Sequence, residues 1–432
     1  VNIALPAIAH DFHTSLAGLQ WVLNAYLIML TALLLLGGSL GDLYGRRAMF
    51  VAGLVGFTGA SLVCGLAPSA GALIAARALQ GVAAALLVPG SLSIIASSFD
   101  ARERGAAIGA WTGLAGVATA LGPFVGGWLI EAASWRFVFL INLPLAAIAI
   151  AITLRHVPES RSRGTAHRLD VVGSLLVTAA LAALSYAAIE HRGPSSVVSG
   201  VAGTILLLAF VAYEARHPKP MLPLELFGVP QFAGANLVTL AVYAALSGSM
   251  FLIVLRLQST LHYSPVEAGG SLVPFTVIML SLASTAGRVA TRVGARLPMT
   301  IGPVFVAAGL ALFSRVGPGD HFVSLVLPAI CLLGIGMTMT VPPLTAAVLA
   351  DVDDENGGVA SGVNNAVARL AGLVAVAALP ALAGIRADAS LEGGLREGYA
   401  KGLWICAGVA LGASVIAFAT IRPRAAAARL AP

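Results

Sequence analysis

Charge is what this chain has least of. Of 432 residues only 10% are Asp, Glu, Lys or Arg, while 58% are hydrophobic and the mean hydropathy is +0.93. Soluble domains carry about 25% charged residues, so a chain this long could not clothe a water-facing surface. A soluble enzyme, a nucleic-acid binder and a disordered chain are therefore excluded. Lysine is scarcer still: Lys219 and Lys401 are the only two, and the residues after them, Pro220 and Gly402, leave no G-K-[ST] nucleotide loop for a primary pump. Cys64, Cys331 and Cys406 form no C-x-x-C and no metal spacing, and they read as small packing residues in apolar runs. No G-x-S-x-G occurs, and no His, Asp or Glu cluster lies within an apolar run, so the chain is not read as an enzyme. The 48 glycines follow no G-X-Y period, which excludes a fibrous chain.

What is abundant is apolar sequence in blocks of about 20 residues, the length that crosses about 30 Å of hydrocarbon as a helix. A barrel would show alternating segments of about 10 residues, and none are seen. Thirteen spans are expected, near 21–40, 48–67, 72–96, 105–130, 137–154, 171–190, 197–213, 232–257, 268–287, 298–314, 322–349, 359–384 and 402–421. Val1–Ala9 is apolar but too short to span, and it lacks the pattern of a signal peptide. It is expected to be the outer end of a first helix whose upstream half is missing, which makes fourteen helices in the intact protein.

Arginine placement orients these spans. With the 41–47 loop in the cytoplasm, 16 Lys and Arg residues fall inside, Arg46, Arg47, Arg155 and Arg216 among them, and 6 fall outside. That asymmetry follows the positive-inside rule and puts the C-terminus in the cytoplasm. The acidic run Asp351, Asp353, Asp354 and Glu355 goes against it, although acids weigh little. Two of the inside loops resemble each other, Gly38–Arg47 and Gly287–Arg296. They lie too far apart for six helices at roughly 30 residues per helix and loop; the surplus is about two helices. A 6 + 2 + 6 plan follows, of the repeated kind that many secondary transporters use.

Several of these segments carry a family resemblance. Gly38–Arg47 resembles the G-x-L-a-D-r-x-G-r-r signature of the major facilitator superfamily, and Leu73–Gly81 its R-x-x-Q-G signature. Gly122-Pro123-Phe124-Val125-Gly126-Gly127 is similar to the G-P-x-x-G-G antiporter signature, and Val1–Pro6 to the V-N-x-A-L-P tail of the first helix in the fourteen-helix drug:H⁺ antiporter branch. Trp135-Arg136, Asn142-Leu143-Pro144, Ala268-Gly269 and the stretch Ala360–Asn365 add looser matches. The resemblance implies an all-α polytopic membrane protein of the major facilitator fold: two six-helix bundles related by pseudo-two-fold symmetry, plus two inserted linker helices. The expected organisation is 1–155 for the first bundle, 156–230 for the linker pair, 231–421 for the second bundle and 422–432 for a cytoplasmic tail. It also implies a bacterial cytoplasmic-membrane exporter that works by alternating access. Such a protein is driven by the proton gradient with no cofactor, its partners are protons and a lipophilic small molecule, cations included, and it acts as a monomer.

Physical chemistry gives each motif a role beside that resemblance. In the loop of Gly38, Asp42, Gly45, Arg46 and Arg47, glycine allows a tight turn, and Asp42 can pair with arginine or sit at a helix N-terminus. Such contacts can latch one state and release in another; a plain glycine-capped turn is the simpler alternative. The second copy carries Thr291 where the first has Asp42, so its latch should be weaker. Arg77 lies within an apolar helix, where charge is costly unless it faces protein or water, and Gln80 is one turn away on the same face. The resemblance gives this arginine a part in proton coupling, while a structural pairing is the alternative. Arg256, near the outer end of its helix, is expected to snorkel, and Arg369 is less clear. Gly122, Pro123, Gly126 and Gly127 can pack closely on a second-half helix and seal the outer side, or serve generic membrane packing. Asn24, Tyr26, Trp111, Asn236, Tyr243, Asn364 and Asn365 could line a substrate cavity, or simply bond one helix to another.

One group is missing. A proton-driven exporter needs an acid within the membrane, yet all nineteen Asp and Glu residues fall in loops or at helix ends, including Glu131, Glu190, Glu214 and Glu267. In the antiporter branch an acid lies just upstream of the V-N-x-A-L-P tail, where this sequence begins; Glu131 is the alternative coupling group. The competing readings are a same-fold carrier for one metabolite and a non-transporting membrane protein.

Overall fold

A computed structural model describes residues 1–161, 169–218, 220–317, 319–352, 357–386 and 391–423. Sixteen α-helices account for them. In chain order they are α1 (Leu5–Phe12), α2 (Leu16–Tyr44), α3 (Arg46–Gly65), α4 (Ala70–Ser98), α5 (Ala101–Ala132), α6 (Phe137–Leu140), α7 (Asn142–His156), α8 (Val171–Glu190) and α9 (Pro194–Glu214). There follow α10 (Pro230–Ser259), α11 (Pro265–Ser271), α12 (Val273–Val293), α13 (Arg296–Phe313), α14 (Leu327–Leu349), α15 (Gly357–Leu382) and α16 (Leu391–Thr420). Among the described residues, twelve helical segments are long and apolar enough to cross a membrane, and Gly116–Ala132 within α5 is a shorter apolar stretch. Every expected span falls on one of these helices.

The departures have local causes. The 137–154 span breaks at Ile141, because Pro144 has no N–H to continue the ladder to Leu140. Pro274 does the same between α11 and α12, where the helical run extends from Pro265 to Val293 and exceeds the expected 268–287. The last helix begins at Leu391, eleven residues before the expected 402, and carries the exposed Arg396 and Lys401 on its opening turns. Polar residues at a membrane surface remain helical while lowering the hydropathy that marks a span. Of the expected tail 422–432, residues 424–432 lie outside the described residues, as do 353–356 of the acidic run.

The chain divides into two compact units. The first contains Ile3–Ala115 and Leu129–Pro223. In it α2 packs along α4, α3 along α4 and α7, and α8 along both α9 and α2. Small residues make the α2–α4 approach possible: a side chain on Gly81 or Gly37 would strike the backbone of Tyr26 or Ala85. The expected linker pair, α8 and α9, therefore lies in the first unit, with α8 against α2. The second unit contains Gly116–Trp128 and Leu224–Pro432. There α10 packs on α15 and α16, and α13 on α14 and α16.

The two similar loops fold alike. Gly45 caps α2 with φ +117° and Gly294 caps α12 with φ +88°, each donating its N–H to the carbonyl four residues back. Only glycine takes such backbone angles freely, which accounts for glycine at the same place in both copies.

Candidate functional site

The 38–47 loop carries a bonded set of charges. Asp42, in the last turn of α2, accepts from Arg46 Nε at 2.9 Å and Nη2 at 2.8 Å across the Gly45 turn. Arg46 Nη1 then reaches the Ser93 carbonyl on α4 at 3.4 Å. Arg47 donates to the Val157 carbonyl at 3.1 Å. The carboxylate at the N-terminus of α3 is Glu159, which accepts from the backbone N–H groups of Arg47 and Ala48, both at 3.1 Å. A negative group there answers the positive end of the helix dipole. Sequence reasoning had offered that place to Asp42; Glu159 is 112 residues away from Arg47 and nothing in its local sequence marks it. A side chain on Gly38 would meet the Pro89 ring in ordinary contact, so this end of the loop lies beside α4. In the second copy, Thr291 is exposed and bonds only to the Arg288 carbonyl of its own helix.

Arg77 lies 6% exposed on the third turn of α4, surrounded by neutral donors and acceptors. Its Nε donates to the Val22 carbonyl at 3.1 Å and its Nη1 to Gln80 Oε1 at 2.5 Å, while the guanidinium stacks 4.2 Å over the Tyr26 ring. Gln80 Nε2 donates to Ser61 Oγ at 2.6 Å, and Asn142 Nδ2 reaches the same hydroxyl at 3.3 Å. The network thus joins α2, α3, α4 and α7. Among the described residues no carboxylate pairs with Arg77. Glu131 stands apart from it, exposed near the C-terminal end of α5. Asn24 is fully buried on α2, with neither amide atom bonded.

Two acids that the sequence placed at helix ends turn out to be buried. Asp170 caps α8, accepting from Gly173 N at 2.8 Å, and Glu214 ends α9, accepting from Leu222 N at 2.9 Å. They are 5% and 2% exposed, and each keeps one buried oxygen without a hydrogen-bond partner. These oxygens crowd the point where a side chain on Gly173 would begin. Asp11 of α1 makes a second charged corner, accepting from Arg136 Nη1 at 2.7 Å and Trp135 Nε1 at 3.0 Å. These bonds hold its carboxyl below the ordinary aspartate value.

In the second unit, Gly127 and Pro123 meet α11 backbone to backbone. A side chain on Gly127 would strike the Pro265 carbonyl, and one on Gly269 the Pro123 carbonyl. Gly122 and Gly126 have open space instead, and Trp111 is exposed. Asn364 of α15 donates to Asn236 Oδ1 at 3.1 Å and Thr239 Oγ1 at 2.7 Å on α10. Its neighbour Asn365 makes no such bond among the described residues. Arg256 docks onto protein: its guanidinium reaches the Val316 carbonyl at 3.4 Å and lies 5.0 Å over Tyr399. Arg369, at the centre of α15, lies on a helix that packs along α10, and its Nε is buried without a partner. None of the described His, Cys, Asp and Glu residues cluster as a metal site.

Comparisons with known proteins agree with this architecture. The chain is 34% identical over 400 residues to the multidrug resistance protein Stp of Mycobacterium tuberculosis, spanning 91% of this chain and 74% of that protein. It is 36% identical over 391 residues to the methylenomycin A resistance protein of Streptomyces coelicolor, with 88% and 80% covered. The puromycin resistance protein pur8 of Streptomyces alboniger is 35% identical over 446 residues, with 99% and 88% covered. Among solved structures, an auto-inhibited POT family peptide transporter superposes with a TM-score of 0.71 at 15% identity, covering 100% of this chain and 94% of its own. The nucleoside transporter NupG follows with a TM-score of 0.68 at 12% identity, over 98% and 95%. At such identities the likeness is one of fold. Residues 1–376 match the model of the Major Facilitator Superfamily, and the chain, a multi-pass helical membrane protein and not an enzyme, belongs to that family.

Proposed function

We propose that this protein exports lipophilic small molecules across the bacterial cytoplasmic membrane in exchange for protons, by alternating access between two six-helix bundles with α8 and α9 as an inserted pair. The observation that carries the reading is the set of relatives 34–36% identical over most of the chain, all named for resistance to a drug or antibiotic. The geometry supports it at three places. The Asp42–Arg46 pair with the Glu159 cap is a charged clasp that can open and close at low cost, because its members are partly solvated. The backbone of Gly127 and Pro123 meets α11 with no room for a side chain between them, the close packing that a seal requires. Arg77 supplies a fixed positive charge at membrane depth, next to which a carboxylate elsewhere in the protein could hold or release a proton.

The test is uptake of fluorescent compounds into inside-out membrane vesicles, with and without an imposed pH gradient. Accumulation that needs the gradient, and that falls in Asp42→Asn while the protein stays folded, is the expected result. Accumulation that ignores the gradient would remove proton exchange from the reading. A folded protein that moves no compound in a broad panel would remove export itself and favour a carrier for one metabolite.

A further inference from the structure

Arg369 is the least satisfied charge at membrane depth. It is the thirteenth of the 26 residues of α15, so about 18 Å of helix separates it from the nearer end. It is neither buried nor exposed, no carboxylate pairs with it among the described residues, and its Nε is shut away from solvent without an acceptor. Lipid cannot be its neighbour on every side, because its Nε is enclosed by protein and α15 packs along α10. Tyr243 continues a stripe on α10 with Asn236 and Thr239, at i, i+3 and i+7, and Arg369 shares a face of α15 with Asn365, at i and i+4. Asn364 already gives its amide to Asn236 and Thr239, so it closes one end of this seam. Tyr243 lies about one turn beyond Thr239, and Arg369 a little over one turn beyond Asn364, so both stand next along the two packed helices.

A lone guanidinium at this depth is costly unless an anion meets it, and the fork of Arg369 suits a carboxylate or an aromatic phenolate. Tyr243 adds a ring for a flat compound and a hydroxyl for its oxygen. We infer that the α10–α15 seam is an anion-binding subsite, and that the protein's substrates are organic acids with an aromatic or otherwise apolar body. The inference rests on the export reading for the word substrate, and it narrows the broad lipophilic class to compounds carrying negative charge.

Two dyes of one shape separate the possibilities: fluorescein, an anionic xanthene, and rhodamine 6G, a cationic one. Binding to the purified full chain in nanodiscs is read by fluorescence anisotropy, and movement by both dyes in inside-out vesicles. Wild type should bind fluorescein more tightly than rhodamine 6G. Arg369→Gln should weaken fluorescein by about tenfold or more and leave rhodamine 6G unchanged or tighter. Arg369→Lys, which keeps the charge, should retain part of the fluorescein affinity and guards against a variant that fails to fold. Fluorescein binding within about twofold of wild type in Arg369→Gln, or a preference for rhodamine 6G, overturns the anion site. Chloride displacing fluorescein at constant ionic strength would assign the site to an inorganic anion and overturn the organic-acid reading. If rhodamine 6G moves while fluorescein neither binds nor moves, export stands and the inference falls. If fluorescein binds through Arg369 but no dye moves, the site stands and export falls.

Discussion

The two units of this protein treat polar groups differently. In the first, charges meet each other or backbone: Asp42 with Arg46, Glu159 at the α3 N-terminus, Asp11 with Arg136, Asp170 and Glu214 with the N–H groups of Gly173 and Leu222, and Arg77 with Val22, Gln80 and Tyr26. In the second, the corresponding loop has an exposed Thr291 in place of Asp42, and Arg369 has no acid partner among the described residues. Arg422 with Asp351, at 2.9 Å, is the ion pair described there. A satisfied network holds a structure still, whereas an unsatisfied charge at depth is free to recognise a ligand. The first unit thus looks built for holding and switching, and the second for binding.

The sharpest break of this contrast is Arg77→Ala. It leaves the Gln80 side-chain oxygen with only a long contact from the Cys64 thiol and takes the second donor from the Val22 carbonyl, at a cost of about 1–3 kcal/mol. Transport should vanish and the melting temperature in detergent should fall; an unchanged melting temperature would show that the network is dispensable for folding. Next comes the α8–α9 hairpin. Glu214→Ala removes the acceptor of the Leu222 N–H, for a loss of about 1–3 kcal/mol, while Glu214→Gln retains a hydrogen-bonding side chain and should lose less. Thermal unfolding of the two variants side by side decides this.

Arg369→Gln should do the reverse of Arg77→Ala. Stability holds or improves, because a charge at membrane depth without an acid partner is removed, while binding changes. A large drop in melting temperature would instead make Arg369 structural and erase the contrast between the units. Smaller effects are expected at the loops. Asp42→Asn should slow transport at nearly unchanged stability, since a partly solvated pair is worth about 0.2–1 kcal/mol, and Thr291→Ala should change neither. Equal slowing by both would make the two loops equivalent.

The smallest effect is at the Asp11 corner. Its carboxyl is held below the ordinary aspartate value by Arg136 and Trp135, so the contact is present above the ordinary value and is lost as pH falls through the lower, folded one. Tryptophan fluorescence at acid pH should report Trp135 releasing Asp11, and Arg136→Gln should move that transition to higher pH.

Much of the architecture was legible before any fold was seen. The spans could be read because a helix in lipid must satisfy its own backbone bonds within an unbroken apolar run, a property of consecutive residues. The glycine turns were legible for the same local reason, Gly45 and Gly294 standing at matching places in similar loops. The misses were all pairings across the chain. Glu159 looked like an ordinary loop acid and proved to be the cap of α3. Asp170 and Glu214 looked like solvated helix ends and proved to be a buried pair. Arg256 was expected to snorkel and is docked on Tyr399.

The sequence by itself determined that the chain crosses the membrane many times as helices and where its tight turns fall. Hydropathy and glycine act over one helix at a time, so no distant partner is needed to read them. Only the tertiary structure decided which charges are satisfied and which are left waiting. Arg77 and Arg369 are both arginines in apolar helices, and their neighbours in sequence do not distinguish them. What differs is the Val22 carbonyl and the Tyr26 ring that α2 brings to Arg77, whereas Arg369 Nε is left without an acceptor.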